Sequence, residues 1–266
     1  MTNLELKNYI TENNTGNIRK NLKTKDRLIL SLDVPGKKEA FDVLKQADNM
    51  ISTVKVGLEL IYNEGLDIVN IVKKSGYKVM LDAKLMDIPN TIAGAARGIS
   101  RLDVSIITLH TFGGSAMIKS AHDTLSLLCS QKNKYRPLLF GVTVLTSLDD
   151  SDLENFGFKI KYMDLVLNMA RIGIESGIDG IVCSPNEVGF LRKNLGKNFL
   201  IATPGIRLSE DSSSDQKRVN TPQKAIRDGA DFIIVGRPIV KSPNIKNTIE
   251  LFLEKIEGEI LNDKNC

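Results

Sequence analysis

Residues 78–91 read KVMLDAKLMDIPNT, and they contain the unit that decides the fold. A largely apolar run, Lys78 to Leu81, is followed by charged residues and then by Pro89, a residue that favours the first turn of a helix. From Arg27 onward the same unit recurs, so that eight apolar runs alternate with segments of helical spacing. The other seven runs cover residues 28–32, 53–56, 104–109, 138–145, 180–183, 199–202 and 232–235.

Most of these runs are continuous stretches of Val, Ile and Leu, which is the pattern of parallel strands buried on both faces. Eight such strands alternating with helices in about 240 residues predict an α/β fold, a closed (β/α)8 or TIM barrel, as one domain over residues 27–266. An open doubly wound sheet is the alternative, although no GxGxxG follows the first strand. Residues 1–26 belong to no repeat, and we expect a short helical extension there, in which Thr2 and Glu5 can form a capping box.

Composition limits the classes of function. The 266 residues carry 36 Lys and Arg against 32 Asp and Glu, and the basic residues form no block, so we expect no nucleic-acid partner. No apolar run approaches the roughly 18 residues that span a bilayer, and the N-terminus has no apolar signal region. Three widely spaced cysteines indicate neither a disulfide framework nor a zinc site. The sequence therefore predicts a soluble, cytoplasmic protein with no membrane partner.

Polar residues stand where the predicted strands end, and in a closed barrel these ends meet at one mouth. Lys55 lies within an apolar strand, where an ammonium is costly to bury unless a carboxylate is near. Asp82 and Lys84 are two apart on a strand, so they project to the same side, and Asp87 follows in the loop. We expect these two carboxylates and two ammoniums to alternate in sign, either as a catalytic cluster or as a structural salt-bridge network.

Residues at the strand ends and in one long connection also indicate which ligands the barrel would bind. The two lysines would compete with a divalent cation for Asp82 and Asp87, so we expect no metal. Gly236 and Arg237 follow the eighth strand, a position where barrels commonly bind phosphate. His110 is either a core histidine or a contact for a substrate hydroxyl. The polar connection 205–219 exceeds the usual length and is either a solvated loop or a mobile lid.

Taken together, these motifs resemble the orotidine 5′-phosphate decarboxylase family. The resemblance runs from about Arg27 to Ser242 and rests on residues 82–91, Leu32-Asp33, Lys55-Val-Gly57, Thr203-Pro-Gly-Ile-Arg207, Asp215-Gln216 and Val235-Gly-Arg237. It implies conversion of orotidine 5′-phosphate to UMP and carbon dioxide without a cofactor. Lys84 would protonate C6 of the pyrimidine, and Asp82, Asp87 and Lys55 would complete the catalytic set.

The resemblance also implies a homodimer with shared active sites and a set of residues that bind the nucleotide. Three of these residues would enter the partner's site, namely Asp87, Ile88 and Thr91. Asp33 and Lys55 would bind ribose hydroxyls, and Thr146 and Pro204 would contact the pyrimidine. The 5′-phosphate would be bound by Gln216, Gly236 and Arg237, with Arg207 nearby. The connection 205–219 would then be a lid.

Two other functions are compatible with a barrel of this kind. One is a magnesium-dependent sugar-phosphate decarboxylase or aldolase of the same superfamily, which shares an Asp-x-Lys-x-x-Asp pattern. The continuation Asp87-Ile-Pro-Asn-Thr91 argues against it. The other is a catalytically silent phosphate-binding barrel, against which the intact set of Lys55, Asp82, Lys84 and Asp87 argues.

Overall fold

The structure, a computed structural model, describes residues 15–208 and 220–264. Eight parallel strands pair in chain order, and the last pairs with the first, so the sheet closes into a barrel. The strands are β1 (Leu28–Ser31), β2 (Thr53–Val56), β3 (Lys78–Leu85), β4 (Ile106–His110), β5 (Leu138–Val142), β6 (Gly180–Val182), β7 (Leu200–Thr203) and β8 (Phe232–Val235). The predicted (β/α)8 barrel is confirmed.

Two helices precede β1, and the others follow the strands and cover the outside of the barrel. Those before β4 are α1 (Thr15–Asn21), α2 (Thr24–Arg27), α3 (Lys37–Ala47), α4 (Leu58–Glu64), α5 (Ile68–Lys74) and α6 (Pro89–Ile99). The later ones are α7 (Gly114–Gln131), α8 (Asp150–Asn155), α9 (Tyr162–Glu175), α10 (Val188–Leu195), α11 (Pro222–Arg227), α12 (Arg237–Val240) and α13 (Ile245–Lys264). Within the described residues, no helix has both the length and the apolar character needed to cross a membrane.

The observed strands differ from the predicted runs mainly at two ends. β3 continues to Leu85 instead of stopping at Leu81, because pairing with β4 resumes at Leu85, opposite Leu109, after an irregular step that contains Asp82 and Lys84. β5 ends at Val142, and the apolar residues that follow it turn toward the barrel mouth. An apolar run therefore predicts the position of each strand, but pairing with the neighbouring strand determines the residue at which it ends.

A small apolar cluster fills the inside of the barrel below its mouth. Its buried members come from six strands and are Ile29, Met80, Ile106, Phe140, Leu200, Ala202, Phe232 and Ile234. Ile18 and Leu22, from the segment that contains α1, pack against this cluster. The described part of the N-terminal extension thus lies at the N-terminal end of the barrel, opposite the mouth. The capping box predicted at Thr2 and Glu5 lies outside the described residues, and the domain boundary at residue 27 stays a prediction.

One buried carboxylate fixes α1 to this end of the barrel. Asp231 is 1% exposed and accepts hydrogen bonds from the guanidinium groups of Arg19 and Arg192. It also accepts from the backbone N–H of Ile201, 2.7 Å away. Three elements that are distant in sequence therefore share one acceptor.

We expect Asp231→Ala to lower the free energy of unfolding by about 3 to 5 kcal/mol, because it leaves buried cations and a backbone donor without their acceptor. Urea unfolding measures this change. Lys224→Ala is the control, since it removes an exposed pair with Asp228 that contributes less than about 0.5 kcal/mol. Equal effects of the two substitutions would contradict this account of Asp231.

Candidate active site

A cavity of about 250 Å³ opens at the C-terminal ends of the strands. Nine residues that the sequence predicted as site residues line it: Asp33, Lys55, Asp82, Lys84, Thr146, Pro204, Arg207, Gly236 and Arg237. The cavity wall also contains apolar side chains such as Val144, Val182 and Ile206. A lining that contains both charged and apolar groups suits a ligand that has a polar part and an apolar part.

Four charged side chains that line the cavity form a row in which negative and positive charges alternate. The Lys55 Nζ atom lies 3.2 Å from Asp33 Oδ1 and 3.2 Å from Asp82 Oδ2. Lys84 Nζ lies 2.7 Å from the same Asp82 Oδ2 atom. The row therefore runs Asp33, Lys55, Asp82, Lys84. Asp33 follows β1, Lys55 lies on β2, and Asp82 and Lys84 lie on β3. We expected alternation in sign with Asp87 as the second carboxylate, and within this chain Asp33 takes that place.

Mutual attraction keeps the inner members of this row ionised. Burial raises the pKa of the Asp82 carboxyl, but the ammoniums of Lys55 and Lys84 outweigh burial and lower that pKa to about 2. Burial lowers the pKa of Lys55, but Asp82 and Asp33 more than offset it, so the net pKa of Lys55 is raised. At neutral pH the cavity thus presents a fixed carboxylate between two cations.

Two hydroxyl groups that sequence reasoning missed complete the hydrogen bonding of the carboxylates. Ser31 Oγ donates to Asp33 Oδ2 at 2.7 Å, and Thr108 Oγ1 donates to Asp82 Oδ1 at 2.8 Å. Each hydroxyl precedes a strand-end polar residue by two positions, Ser31 before Asp33 and Thr108 before His110. Period-two spacing from a site residue is the signal that could have found both.

His110 lies at the end of β4, half-buried beside this cluster. Burial, and after it the positive charge of Lys84, lower the pKa of the imidazole from its ordinary value. Both effects favour the neutral imidazole, which can donate and accept a hydrogen bond. A neutral ring is compatible with both roles that the sequence allowed for His110.

Three predicted site residues lie apart from the cavity of their own chain. Asp87, Ile88 and Thr91 are exposed, on the loop after β3 and in the first turn of α6. The Asp87 carboxylate accepts a hydrogen bond from the backbone N–H of Ile88, and among the described residues it forms no ion pair. Ile88 is 66% exposed. Their predicted role in a partner's site stays a prediction.

Of the residues predicted to bind phosphate, Gly236 lies at the opposite end of the row from Lys84. Gly236 follows β8, and a Cβ atom at this position would lie 3.1 Å from Asp33 Oδ2 and 3.1 Å from Ser31 Cβ. Glycine therefore keeps this part of the cavity open. Arg237 follows at the start of α12, and Arg207 lines the same cavity after β7. Gln216 and residues 209–219 of the predicted lid lie outside the described residues.

Comparisons with known proteins agree on one family. A family model described as "Orotidine 5′-phosphate decarboxylase / HUMPS family" matches residues 26–252. The chain is 42% identical over 233 residues to an orotidine 5′-phosphate decarboxylase of Carboxydothermus hydrogenoformans, covering 88% of this chain and 97% of the relative. The relative from Bacillus cytotoxicus is 41% identical over 232 residues, covering 87% and 97%. A crystal structure of the Lactobacillus acidophilus decarboxylase matches with a TM-score of 0.76 at 35% identity, covering 87% of this chain and 99% of that one.

The Asp82 carboxyl has a lower pKa in the folded chain than its ordinary value of 3.8, so its ionisation stabilises the fold above pH 4. That stabilisation is lost as the pH falls from 4 to 2. We expect the stability advantage of the native chain over Asp82→Asn to shrink by about 2 kcal/mol across this window. Urea unfolding of both proteins between pH 2 and pH 6 measures it, and parallel stability curves would contradict the assignment.

Proposed function

Because the chain belongs to the orotidine 5′-phosphate decarboxylase / HUMPS family, we propose that it converts orotidine 5′-phosphate to UMP and carbon dioxide. The observation that carries the proposal is the contact of Lys84 Nζ with Asp82 at 2.7 Å on the wall of the cavity. An ammonium next to a carboxylate can deliver a proton to a carbon and stabilise negative charge there. The enzyme is thus a carboxy-lyase of pyrimidine biosynthesis.

The chemistry makes unusual demands on the site. Loss of carbon dioxide from C6 leaves a vinyl carbanion that the pyrimidine ring delocalises poorly, so the uncatalysed barrier is very high. Enzymes at this end of the range supply about 20 kcal/mol or more. One preorganised donor contributes about 3 to 4 kcal/mol, so several contributions must combine.

Three groups of residues share this work in the proposed mechanism. The Asp82 carboxylate faces the substrate carboxylate and disfavours the ground state relative to the carbanion. Lys84 stabilises the charge that develops at C6 and then donates its proton there as general acid. Lys55 holds Asp82 in place from its other side, at 3.2 Å. No cofactor is needed, because the lysines supply both the positive charge and the proton.

Contacts with parts of the nucleotide that are distant from C6 supply the remaining stabilisation of the transition state. Asp33 and Lys55 bind the ribose hydroxyls, and Thr146 and Pro204 contact the pyrimidine. Four residues bind or approach the 5′-phosphate: Arg207, Gln216, Gly236 and Arg237. Closing of the 205–219 connection over the phosphate converts this remote binding energy into catalysis.

The proposal includes a cytoplasmic homodimer in which each site takes residues from both chains. The exposed positions of Asp87, Ile88 and Thr91 support it, since these residues can reach a neighbouring molecule. Met86, 53% exposed beside them, adds to the apolar surface that a second copy would cover. Asp87 of one chain then lies next to Lys84 of the other and places a second carboxylate beside it.

The direct test is the loss of orotidine 5′-phosphate absorbance with purified protein. The magnesium-dependent rival would lose its activity in EDTA, whereas the proposed enzyme would retain it. In this structure the Asp82 oxygens already contact two ammoniums and a hydroxyl, which disfavours a cation there. An active protein that is insensitive to EDTA supports the proposal, and a protein without decarboxylase activity contradicts it.

We expect Lys84→Ala to abolish turnover, by at least about 1000-fold, because it removes both the proton donor and the charge at C6. UMP should still bind, since the phosphate and ribose contacts remain. Lys78→Ala is the matched control: it removes an exposed lysine at the other end of the same strand and should leave kcat unchanged. Substantial decarboxylation by Lys84→Ala would exclude Lys84 as the acid.

Mixing two inactive variants tests the shared site. Lys84→Ala and Asp87→Ala subunits should together regain about a quarter of the native activity, because each hybrid dimer has one site with both residues intact. Mixing Lys84→Ala with Asp82→Ala is the control, since both residues belong to the same chain's site and no intact site can form. Steady-state assays measure both mixtures, and no recovery despite confirmed subunit exchange would contradict a shared site.

A further inference from the structure

We propose that Thr108 is a positioning residue that holds Asp82 and Lys84 in their reactive arrangement. Thr108 lies on β4, is fully buried, and is absent from the cavity wall. It therefore acts through the two residues it contacts and not on a bound nucleotide. The inference deepens the proposed function and rests on it.

The register of β3 against β4 shows why a side chain is needed here. Leu81 pairs with Ile107 and Leu85 pairs with Leu109, so three residues of β3 face Thr108 alone. This is a bulge, and a bulge leaves backbone groups without their usual partners in the sheet. Asp82 and Lys84 are two of the three bulged residues.

The backbone of Lys84 is strained within this bulge. Its φ is +46°, in the left-handed region that residues other than glycine rarely adopt. The Lys84 N–H donates to Thr108 Oγ1 at 3.0 Å, so the threonine hydroxyl accepts the hydrogen bond that a carbonyl accepts in a regular sheet. This bond stabilises the conformation that turns the lysine side chain toward Asp82.

The same hydroxyl also orients the carboxylate. Thr108 has one hydrogen to donate and gives it to Asp82 Oδ1 at 2.8 Å. The carboxylate plane is thereby set so that Oδ2 points to Lys55 and Lys84. One hydroxyl thus fixes the backbone of the proposed acid and the side chain of its carboxylate partner. Valine has nearly the same shape as threonine but can do neither.

We expect Thr108→Val to lower kcat by roughly 10- to 100-fold, the factor that corresponds to losing hydrogen bonds to a charged group. The KM and the affinity for UMP should change by less than about threefold, because the phosphate and ribose contacts do not involve Thr108. Thr108→Ser keeps the hydroxyl and should restore kcat to within about fivefold of the native value. Amide hydrogen exchange at Lys84 should become faster in Thr108→Val only, since that amide loses its acceptor.

Thr143→Val is the matched control. Thr143 is 2% exposed, and among the described residues its Oγ1 atom is buried without a hydrogen-bond partner. The same substitution there should leave kcat and the exchange at Lys84 unchanged. If Thr108→Val fails to fold, Thr108→Ala is judged by the same readouts.

The results separate this inference from the proposed function. A native protein without decarboxylase activity contradicts the function, but hydrogen exchange at Lys84 still tests the contact with Thr108. With an active native protein, a kcat near the native value in Thr108→Val overturns the inference. It is also overturned if Thr108→Ser loses as much activity as valine, or if UMP affinity falls as much as kcat, because either result indicates a general loss of structure.

Discussion

Two lysine ammoniums share a single oxygen atom of the buried Asp82 carboxylate, and the rest of the site depends on this arrangement. Lys55 and Asp82 are buried, and removing such ions from water costs several kcal/mol per ion, which attraction between them repays only with good geometry. Such clusters are poor stabilisers of a fold. Their presence at the mouth of a cavity is better explained by chemistry that requires fixed charges.

The barrel supplies the geometry that this cluster needs. Parallel strands bring their C-terminal ends to one rim, so residues far apart in sequence become neighbours in strand order. Asp33, Lys55 and Asp82 come from three consecutive strands and form a continuous row. Closure of β8 onto β1 then places Gly236 next to Asp33, so the proposed phosphate site adjoins the ribose site. A nucleotide can therefore contact both ends of the row at once.

Sequence patterns predicted the strands and the polar residues at their ends because burial on both faces leaves a simple apolar signal. They also predicted that Lys55 needs a carboxylate, since an isolated buried ammonium is unfavourable. The bulge in β3 was not predictable, because register depends on hydrogen bonds between chain segments and not on local composition. The spacing of Thr108 two residues before His110 could have marked it as a candidate, but its contacts with Asp82 and Lys84 follow only from the register at the bulge. Asp87 forms no ion pair with Lys84 among the described residues of one chain, and its expected place in a partner's site stays a prediction.

A structure of the protein with UMP bound tests the central claim most directly. The account predicts that C6 of the pyrimidine lies within about 3.5 Å of Lys84 Nζ, the distance over which a proton can be donated. It also predicts the phosphate beside Gly236 and Arg237 and the Asp82 contacts unchanged. A nucleotide bound with C6 remote from Lys84, or with Lys84 turned away from Asp82, would contradict the account.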